Sequence, residues 1–236
     1  MSIYIRYPKE YFTNVISRSM NHVICIDPGH QKKPNLALES IAPGSNITKV
    51  KVSAGAQGTI TKQQEYELNL KVSNKLKDIL ILKGYEVVMT RQSNDVNLSN
   101  IERAKIANDA HADICIRIHA DSSNSKSQNG TSLLYPAKES PNNSKDKFEK
   151  SKKLAELILK DVLLNTNTNS KGTIPRDDLT GFNWSNVPVV LIEMGFLSNP
   201  QEDINLSKSE YQSKIAQGIS NGIDEFFKNS LIQYAD

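Results

Sequence analysis

Two histidines in this sequence each follow a short apolar run. Val23-Ile24-Cys25-Ile26-Asp27-Pro28-Gly29 leads into His30, and Asp113-Ile114-Cys115-Ile116-Arg117-Ile118 leads into His119. A brief Val/Ile-rich run reads as a buried strand, and Pro-Gly as the turn that ends the first one. Both imidazoles are therefore expected at strand carboxyl ends, the edge where ligands gather in open α/β sheets. Two carboxylates hold comparable positions. Glu193 closes the run Val187-Pro188-Val189-Val190-Leu191-Ile192, and Glu65 falls in the first turn of an amphipathic segment. Two imidazoles and a carboxylate are a common donor set for catalytic zinc, with the fourth position left for water. The metal lowers the pKa of that water to about 7 and polarises a scissile carbonyl. A further carboxylate must then take and return the proton. Glu193 suits that task, because its apolar approach implies partial desolvation, which raises a carboxylate's pKa.

Each of these residues also has a structural reading. A histidine at a strand end can simply be packed, Glu65 can pair with a Lys or Arg, and Glu193 can cap a helix or hold an arginine. Their coincidence at element ends raises a metallohydrolase without closing the structural alternative. His22 and His111 read as surface residues.

The elements that must position these groups follow from periodicity. Strands are expected over 22–27, 85–90, 113–119, 131–135 and 187–194, with a short one within 177–184. Helices are expected over 62–83, from 99 onward, over 148–164 and over 208–228. The 62–83 helix carries a Thr61/Gln64 capping box and stops at Gly84; the next carries Ser99 with Glu102. With Glu65 at zero on a wheel of about 100° per residue, Leu68, Val72, Leu76, Ile79 and Leu80 cluster around it. Glu65 therefore points inward, and Glu67 points away with Lys71 and Asp78. An inward carboxylate needs a partner, since an unpaired buried charge is very costly. Residues 31–64 read as one long loop of the functional kind; 136–147, 165–171 and 195–200 read as polar loop or turn. Alternating strands and helices indicate a single α/β domain with a mostly parallel twisted sheet of about six strands and helices on both faces. The domain is expected over 22–236, preceded by an N-terminal arm, 1–21, with a helical turn at 11–17.

The 236 residues suffice for one such domain and its core. A net charge of +3, from 29 basic and 26 acidic residues, gives no electrostatic reason to invoke nucleic acid. Two cysteines, Cys25 and Cys115, cannot build a disulfide framework and read as small buried hydrophobes. No apolar run approaches the ~18 residues of a membrane span, and no signal peptide is legible at Met1. The first strand has no Gly-rich phosphate loop after it, which disfavours a nucleotide-binding protein.

A set of runs in order extends this reading. Ile26-Asp27-Pro28-Gly29-His30, Glu65-Tyr66-Glu67-Leu68-Asn69-Leu70, Met89-Thr90-Arg91, Glu102-Arg103-Ala104, Ile118-His119-Ala120-Asp121 and Ile192-Glu193-Met194-Gly195-Phe196-Leu197-Ser198-Asn199 cover about residues 22 to 228. In these the chain resembles the bacterial zinc-dependent N-acetylmuramoyl-L-alanine amidases of type 3. The resemblance implies one Zn2+ per chain on His30, Glu65 and His119, with Glu193 as acid/base. It also implies a peptidoglycan substrate, cut at the amide between N-acetylmuramic acid and L-alanine of the stem peptide. A monomer acting outside the cell at the wall, its leader absent from this chain, goes with that reading. Arg91, Asp121, Thr180 and Asn183 are the candidate substrate contacts. Gln31, Arg117, Asp121 and the long 31–64 segment depart from the common pattern; none is a ligand, so they bear on substrate preference. The rivals are a zinc peptidase cutting within the stem peptide and a non-catalytic wall-binding module on the same fold. If the 177–184 segment contacts the glycan or stem, Asn183→Ala lowers activity on intact sacculi, measured as release of soluble wall fragments.

Overall fold

The structure, a computed structural model, describes residues 6–7 and 22–232. The expected helical turn at 11–17 lies outside the described residues. In chain order the elements are β1 (Arg6–Tyr7), β2 (Val23–Pro28), β3 (Asn35–Ser40), β4 (Thr48–Val52), α1 (Glu65–Leu82), β5 (Glu86–Met89) and α2 (Asn100–Asp109). They continue with β6 (Ile114–Asp121), β7 (Thr131–Pro136), α3 (Lys145–Thr166), β8 (Ser170–Arg176), α4 (Thr180–Asn183), β9 (Val189–Phe196), α5 (Pro200–Ser207) and α6 (Ser209–Ile232).

Seven strands form one sheet in the order β1-β5-β2-β6-β9-β7-β8. The four strands β5, β2, β6 and β9 are mutually parallel; β1 runs against β5 and β7 against β9. The expected single α/β domain is thus observed, with the two residues of β1 added at one edge. From β2 the chain crosses through α1 to β5 on one side and then through α2 to β6 on the other. The crevice between β2 and β6 is the point where strand order reverses, the place such sheets reserve for ligands.

Alternation along the strands divides the core. Ile24, Ile26, Ile116, Ile118, Val190, Ile192 and Met194 face α1, α3 and α6, whose stripes Leu68-Val72-Leu76-Leu80, Leu154-Ile158-Val162 and Ile215-Ile219-Ile223 are all buried. The opposite face carries Cys25, Cys115, Leu134, Val189 and Leu191 beneath Phe182 of α4 and Ala107 of α2. Cys25 and Cys115 are free, buried and directly opposite each other on β2 and β6, as small hydrophobes. No helix among the described residues is long and apolar enough to cross a membrane.

Several local expectations are corrected. The 31–64 segment is not structureless: β3 and β4 pair as an antiparallel two-stranded sheet. The 177–184 segment holds the short helix α4, and the neighbouring strand is β8, which begins in the stretch expected to be a turn. The expected 195–200 turn is shorter, since β9 runs to Phe196 and α5, an added helix, starts at Pro200, with Asn199 accepting from the backbone N–H groups of Gln201 and Glu202. Helix α1 starts at Glu65, not 62. Its N-cap Gln64 makes no side-chain cap bond, because the Thr61 hydroxyl donates to Asp203 instead, at 2.5 Å. The Ser99/Glu102 capping box is present in full. His22 is not a free surface residue: its ring stacks on Phe227 at 3.9 Å. His111 is exposed.

Asp27 is a carboxylate in the middle of this interior, 1% exposed. It pairs with Arg103 of α2 at 2.8 Å and Arg117 of β6 at 2.8 Å, and accepts from the Thr90 hydroxyl at 2.6 Å. Burial pushes its carboxyl up, but the two guanidinium groups win and hold it far below the usual carboxylate range. Removing one partner of a buried ion pair costs about 3–5 kcal/mol. Asp27→Asn is expected to lower the unfolding free energy by that order, read by urea denaturation at neutral pH. A depressed native pKa also fixes the sign of the acid response: the Asp27 contribution is complete above about pH 4 and declines as pH falls below it. The variant's stability should depend less on pH in that window than the wild type's.

Candidate metal centre

The backbone that carries His30 is pinned atom by atom. The carbonyl of Pro28 accepts from Arg91 Nε at 2.9 Å and Arg103 Nη1 at 2.8 Å. That of Gly29 accepts from Arg91 Nη2 at 2.9 Å, and that of His30 from Arg103 Nη2 at 3.0 Å. The Gly29 N–H donates to Ile118 O at 2.9 Å, which ties the turn to β6. Under these restraints His30 takes φ 56°, a left-handed conformation that a non-glycine residue holds only when its surroundings impose it. Its ring then projects over the β2/β6 crevice.

His119 arrives from β6 itself, which runs two residues further than expected, to Asp121. Gly29 is what lets it fit. A Cβ at position 29 would stand 2.2 Å from His119 Cε1 and 2.3 Å from Nε2. Glu65 comes from the first turn of α1, where its inward placement agrees with the wheel. His30 Nε2 and His119 Nδ1 each lie 3.2 Å from Glu65 Oε1. Donor atoms of the three residues all fall within 4.8 Å of one another, so together they could hold a metal ion.

The partners of these side chains aim them inward. His30 Nδ1 donates to the Ser53 carbonyl at 3.1 Å, leaving Nε2 to face the cluster. Glu65 Oε2 accepts from Ala56 N–H at 2.7 Å, and Oε1 from Ala120 N–H and Asn69 Nδ2, both at 3.2 Å. Asn69 lies one turn along α1 and also reaches the Gly29 carbonyl at 3.3 Å. Burial pushes Glu65 up, yet hydrogen bonds from His119 and His30 hold it well below the usual range. Burial pushes His119 down to about 4, so the ring is neutral at physiological pH, the form a metal ligand requires.

Glu193 stands in direct register with His119 across β6 and β9, on the same face of the sheet. Its strand runs on to Phe196 rather than ending at the acid. The residue is half-buried, and its Oε2 has neither solvent contact nor a hydrogen-bond partner. Burial, followed by the charges of Glu65 and Asp121, pushes its carboxyl well above the ordinary value; Arg176 and Arg117 pull the other way. Asp121 sits two residues beyond His119, half-buried, its Oδ1 accepting from Ser122 N–H at 2.7 Å.

The remaining sequence candidates are placed differently. Arg91 is 3% exposed, with its guanidinium spent on backbone carbonyls and Asn94. Thr180 and Asn183 are buried in α4. Asn183 Nδ2 donates to the carbonyls of Ile41 and Asp177, at 3.2 and 2.9 Å, and so ties α4 to the chain after β3. Arg91 and Asn183 thus hold backbone near the site and Thr180 is buried, whereas Asp121 is beside the cluster. Sequence reasoning passed over Asp27, Gly29, Asn69, Arg103 and Arg117 as site-building residues. The signal was there for Asp27: a carboxylate inside an apolar strand demands a cation, the same demand recognised for Glu65.

The donor chemistry fits a tetrahedral divalent ion. Donors roughly 2 Å from zinc stand about 3.3 Å apart, and both His–Glu separations here are 3.2 Å. Beside the cluster, Glu193 Oε2 is buried without a hydrogen-bond partner, as a polar atom that meets a water would be.

Known proteins match over the same residues. A family model described as N-acetylmuramoyl-L-alanine amidase matches residues 24–225. N-acetylmuramoyl-L-alanine amidase LytC of Bacillus subtilis (strain 168) is 30% identical over 209 residues, which are 89% of this chain and 36% of that protein. The chain therefore spans about a third of that relative. The solved catalytic domain of CwlV, an N-acetylmuramoyl-L-alanine amidase from Bacillus (Paenibacillus) polymyxa var. colistinus, superposes with a TM-score of 0.70 at 29% identity, over 88% of this chain and 98% of that one. The amidase Ami1 of Mycobacterium smegmatis shares the fold, with a TM-score of 0.80 at 23% identity over 90% of this chain and 100% of that one. With most of its length matched by the family model and its aligned relatives alike, the chain belongs to the type 3 family of N-acetylmuramoyl-L-alanine amidases.

Proposed function

We propose that this chain hydrolyses peptidoglycan at the amide between N-acetylmuramic acid and L-alanine of the stem peptide, with one Zn2+ held by His30, Glu65 and His119. The observation that carries the reading is convergence. Three donors from separate elements meet within 4.8 Å, with Glu193 beside them in strand register, in a member of an amidase family. The catalytic unit is 22–236, acting as a monomer on the cell wall, with 1–21 as an arm.

Zinc at such a site supplies polarisation of the scissile carbonyl and acidification of a water molecule. The chain supplies the rest. His30 and His119 would present ring nitrogens to the metal, and Glu65 would neutralise one unit of positive charge. Ser53, Asn69 and the backbone N–H groups of Ala56 and Ala120 keep these donors from rotating away. Glu193 takes the proton of the attacking water and returns it to the leaving amino group of L-alanine. Its raised pKa makes it a stronger base than an ordinary carboxylate, which favours taking the proton from water. Asp121 lines the cleft beside Glu193; Arg91, Thr180 and Asn183 hold its walls.

Metal analysis of purified protein should return one zinc per chain, and a chelator should abolish release of peptides from sacculi. Mass spectrometry should find stem peptides with a free L-alanine amino terminus; cuts within the stem would overturn the reading in favour of a peptidase. Glu193→Gln is expected to lower kcat by about 10²–10⁴, the usual worth of a general acid/base, while zinc content stays the same. Gly29→Ala should do the opposite: its Cβ displaces the His119 ring, so zinc affinity falls although the sheet still forms, visible as an unchanged circular dichroism spectrum with lost metal. In the pH profile of kcat/KM, the acid limb should lie above the ordinary glutamate value of about 4.3, because Glu193 must first lose its proton and its pKa is raised.

A further inference from the structure

Beyond Glu193 the same face of the sheet continues across β7, whose residues are buried, to the edge strand β8. Ser132 stands opposite Glu193, and Ser132 pairs in turn with Gly172. Alternate residues share a face, so Gly172, Ile174 and Arg176 lie on the face of Glu193. Nothing stands within 4 Å of where a Cβ on Gly172 would be, and Ile174 is 38% exposed. The β8 end of this strip is therefore accessible, while Ser132 and Leu134 of β7 are buried. Four residues along a strand and two strands across put the Glu193 and Arg176 backbones roughly 16 Å apart. The arginine side chain spans part of that distance, and a short extended peptide spans the remainder.

At the far end two cations share one carboxylate. Arg176 Nε donates to Asp178 Oδ1 at 2.7 Å and Nη2 to Oδ2 at 2.9 Å. Lys49 Nζ, reaching over from β4, donates to Asp178 Oδ2 at 3.0 Å and to the Asp178 carbonyl at 2.5 Å. These side chains are 39–41% exposed, and the charge of neighbouring Asp177 also acts on Arg176. Arg176 Nη1 has no hydrogen-bond partner among the described residues. The cluster is fixed in place before any ligand arrives, and a planar guanidinium edge suits a carboxylate. Its charge is felt in the cleft: burial pushes Glu193 and Asp121 up, and Arg176 pulls both down.

The direction of the substrate follows from the chemistry. Glu193 returns its proton to the leaving amine, so the peptide side of the scissile bond lies toward Glu193 and the glycan side away from it. A stem peptide leaving the cleft in that direction heads across β7 toward the exposed β8 residues Gly172, Ile174 and Arg176. We propose that Arg176, held by Asp178 with Lys49, is a specificity-determining residue that binds the carboxylate of the stem residue following L-alanine. It thereby selects stems in which that group is free over stems in which it is a carboxamide. The inference rests on the amidase reading.

The test is steady-state hydrolysis of two soluble muramoyl peptides that differ only in a free carboxylate or a carboxamide on the second residue. Wild type should favour the free acid by about tenfold in kcat/KM, the worth of one charge-assisted contact, with the difference in KM rather than kcat. Arg176→Gln should bring the ratio close to one. Arg176→Lys should keep part of the preference, since charge remains and the fork is lost. Lys49→Gln, which leaves Arg176 in place, should reduce the ratio less than Arg176→Gln. Because Arg176 also acts on Glu193, its loss alters both substrates alike, and the ratio cancels that effect. A wild-type ratio of one overturns the proposal, as does an Arg176→Gln variant that loses both activities in equal proportion and keeps the wild-type ratio. If wild type hydrolyses neither peptide, the amidase reading fails and takes this proposal with it.

Discussion

The structure depends on a buried charge cluster that lies behind the metal site rather than in it. Asp27 alone faces Arg103 and Arg117, with Arg91 close by, so the interior at the end of β2 holds more guanidinium than carboxylate. Burial pushes Arg91 down to about 9, and the charge of Arg103 adds to that. Taking such groups out of water costs several kcal/mol per ion before compensation. Compensation comes from three consecutive carbonyls, Pro28, Gly29 and His30, which would otherwise be orphaned as the strand ends. Each guanidinium thus satisfies backbone that the turn has stripped of sheet partners, and the turn in turn satisfies the guanidinium. The outcome is a rigid corner that can hold His30 in a left-handed conformation.

That rigidity has a purpose in the cluster. An inward carboxylate such as Glu65 is tolerable only if its lone pairs are engaged. Here the backbone N–H groups of Ala56 and Ala120, the Asn69 amide and the two imidazoles engage them. These partners come from the chain after β4, from β6, from α1 and from the turn after β2. Glu65 is therefore the joint at which four parts of the fold meet. Displacing any of them leaves a buried charge undersatisfied, so the geometry of the ligand set and the stability of the domain are the same quantity seen from two sides.

The parts of this arrangement legible in the sequence are those written in local pattern. Apolar runs located β2, β6, β7 and β9, the 3.6-residue period located α1, α3 and α6, and the wheel chose Glu65 over Glu67. The parts that were hidden are settled by distant contacts. The β3–β4 hairpin escaped notice because its outward residues include Leu36 and Leu38, 67% and 62% exposed, so it lacks the alternation a half-buried strand displays. The Thr61 capping box failed because Asp203, far along the chain, takes the hydroxyl and also accepts from the backbone N–H groups of Ile60 and Thr61. β8 has an exposed, polar sequence with Pro175 in it, tolerated because it is an edge strand. Arg91 and Asn183, candidate substrate contacts from sequence, are buried with their donors on backbone carbonyls, a use fixed by distant contacts that local pattern does not carry.

The side-by-side placement of His119 and Glu193 contains a stricter constraint than either residue. Both sit within strands, and strands alternate faces with a period of two, so a slip of one residue between β6 and β9 would turn one of the pair toward α1. What prevents the slip is hydrophobic pattern on the opposite face: Ile116, Ile118, Ile192 and Met194 are each buried against the helices in the observed register, and a one-residue slip would exchange them for Arg117 and His119 on β6 or for Glu193 on β9. Burying those three charged or polar groups among leucines would cost far more than the native register stores in any single contact. The reactive pair is thus positioned by residues that never touch it. The long aliphatic runs that first marked these strands in the sequence are what hold an imidazole and a carboxylate in step.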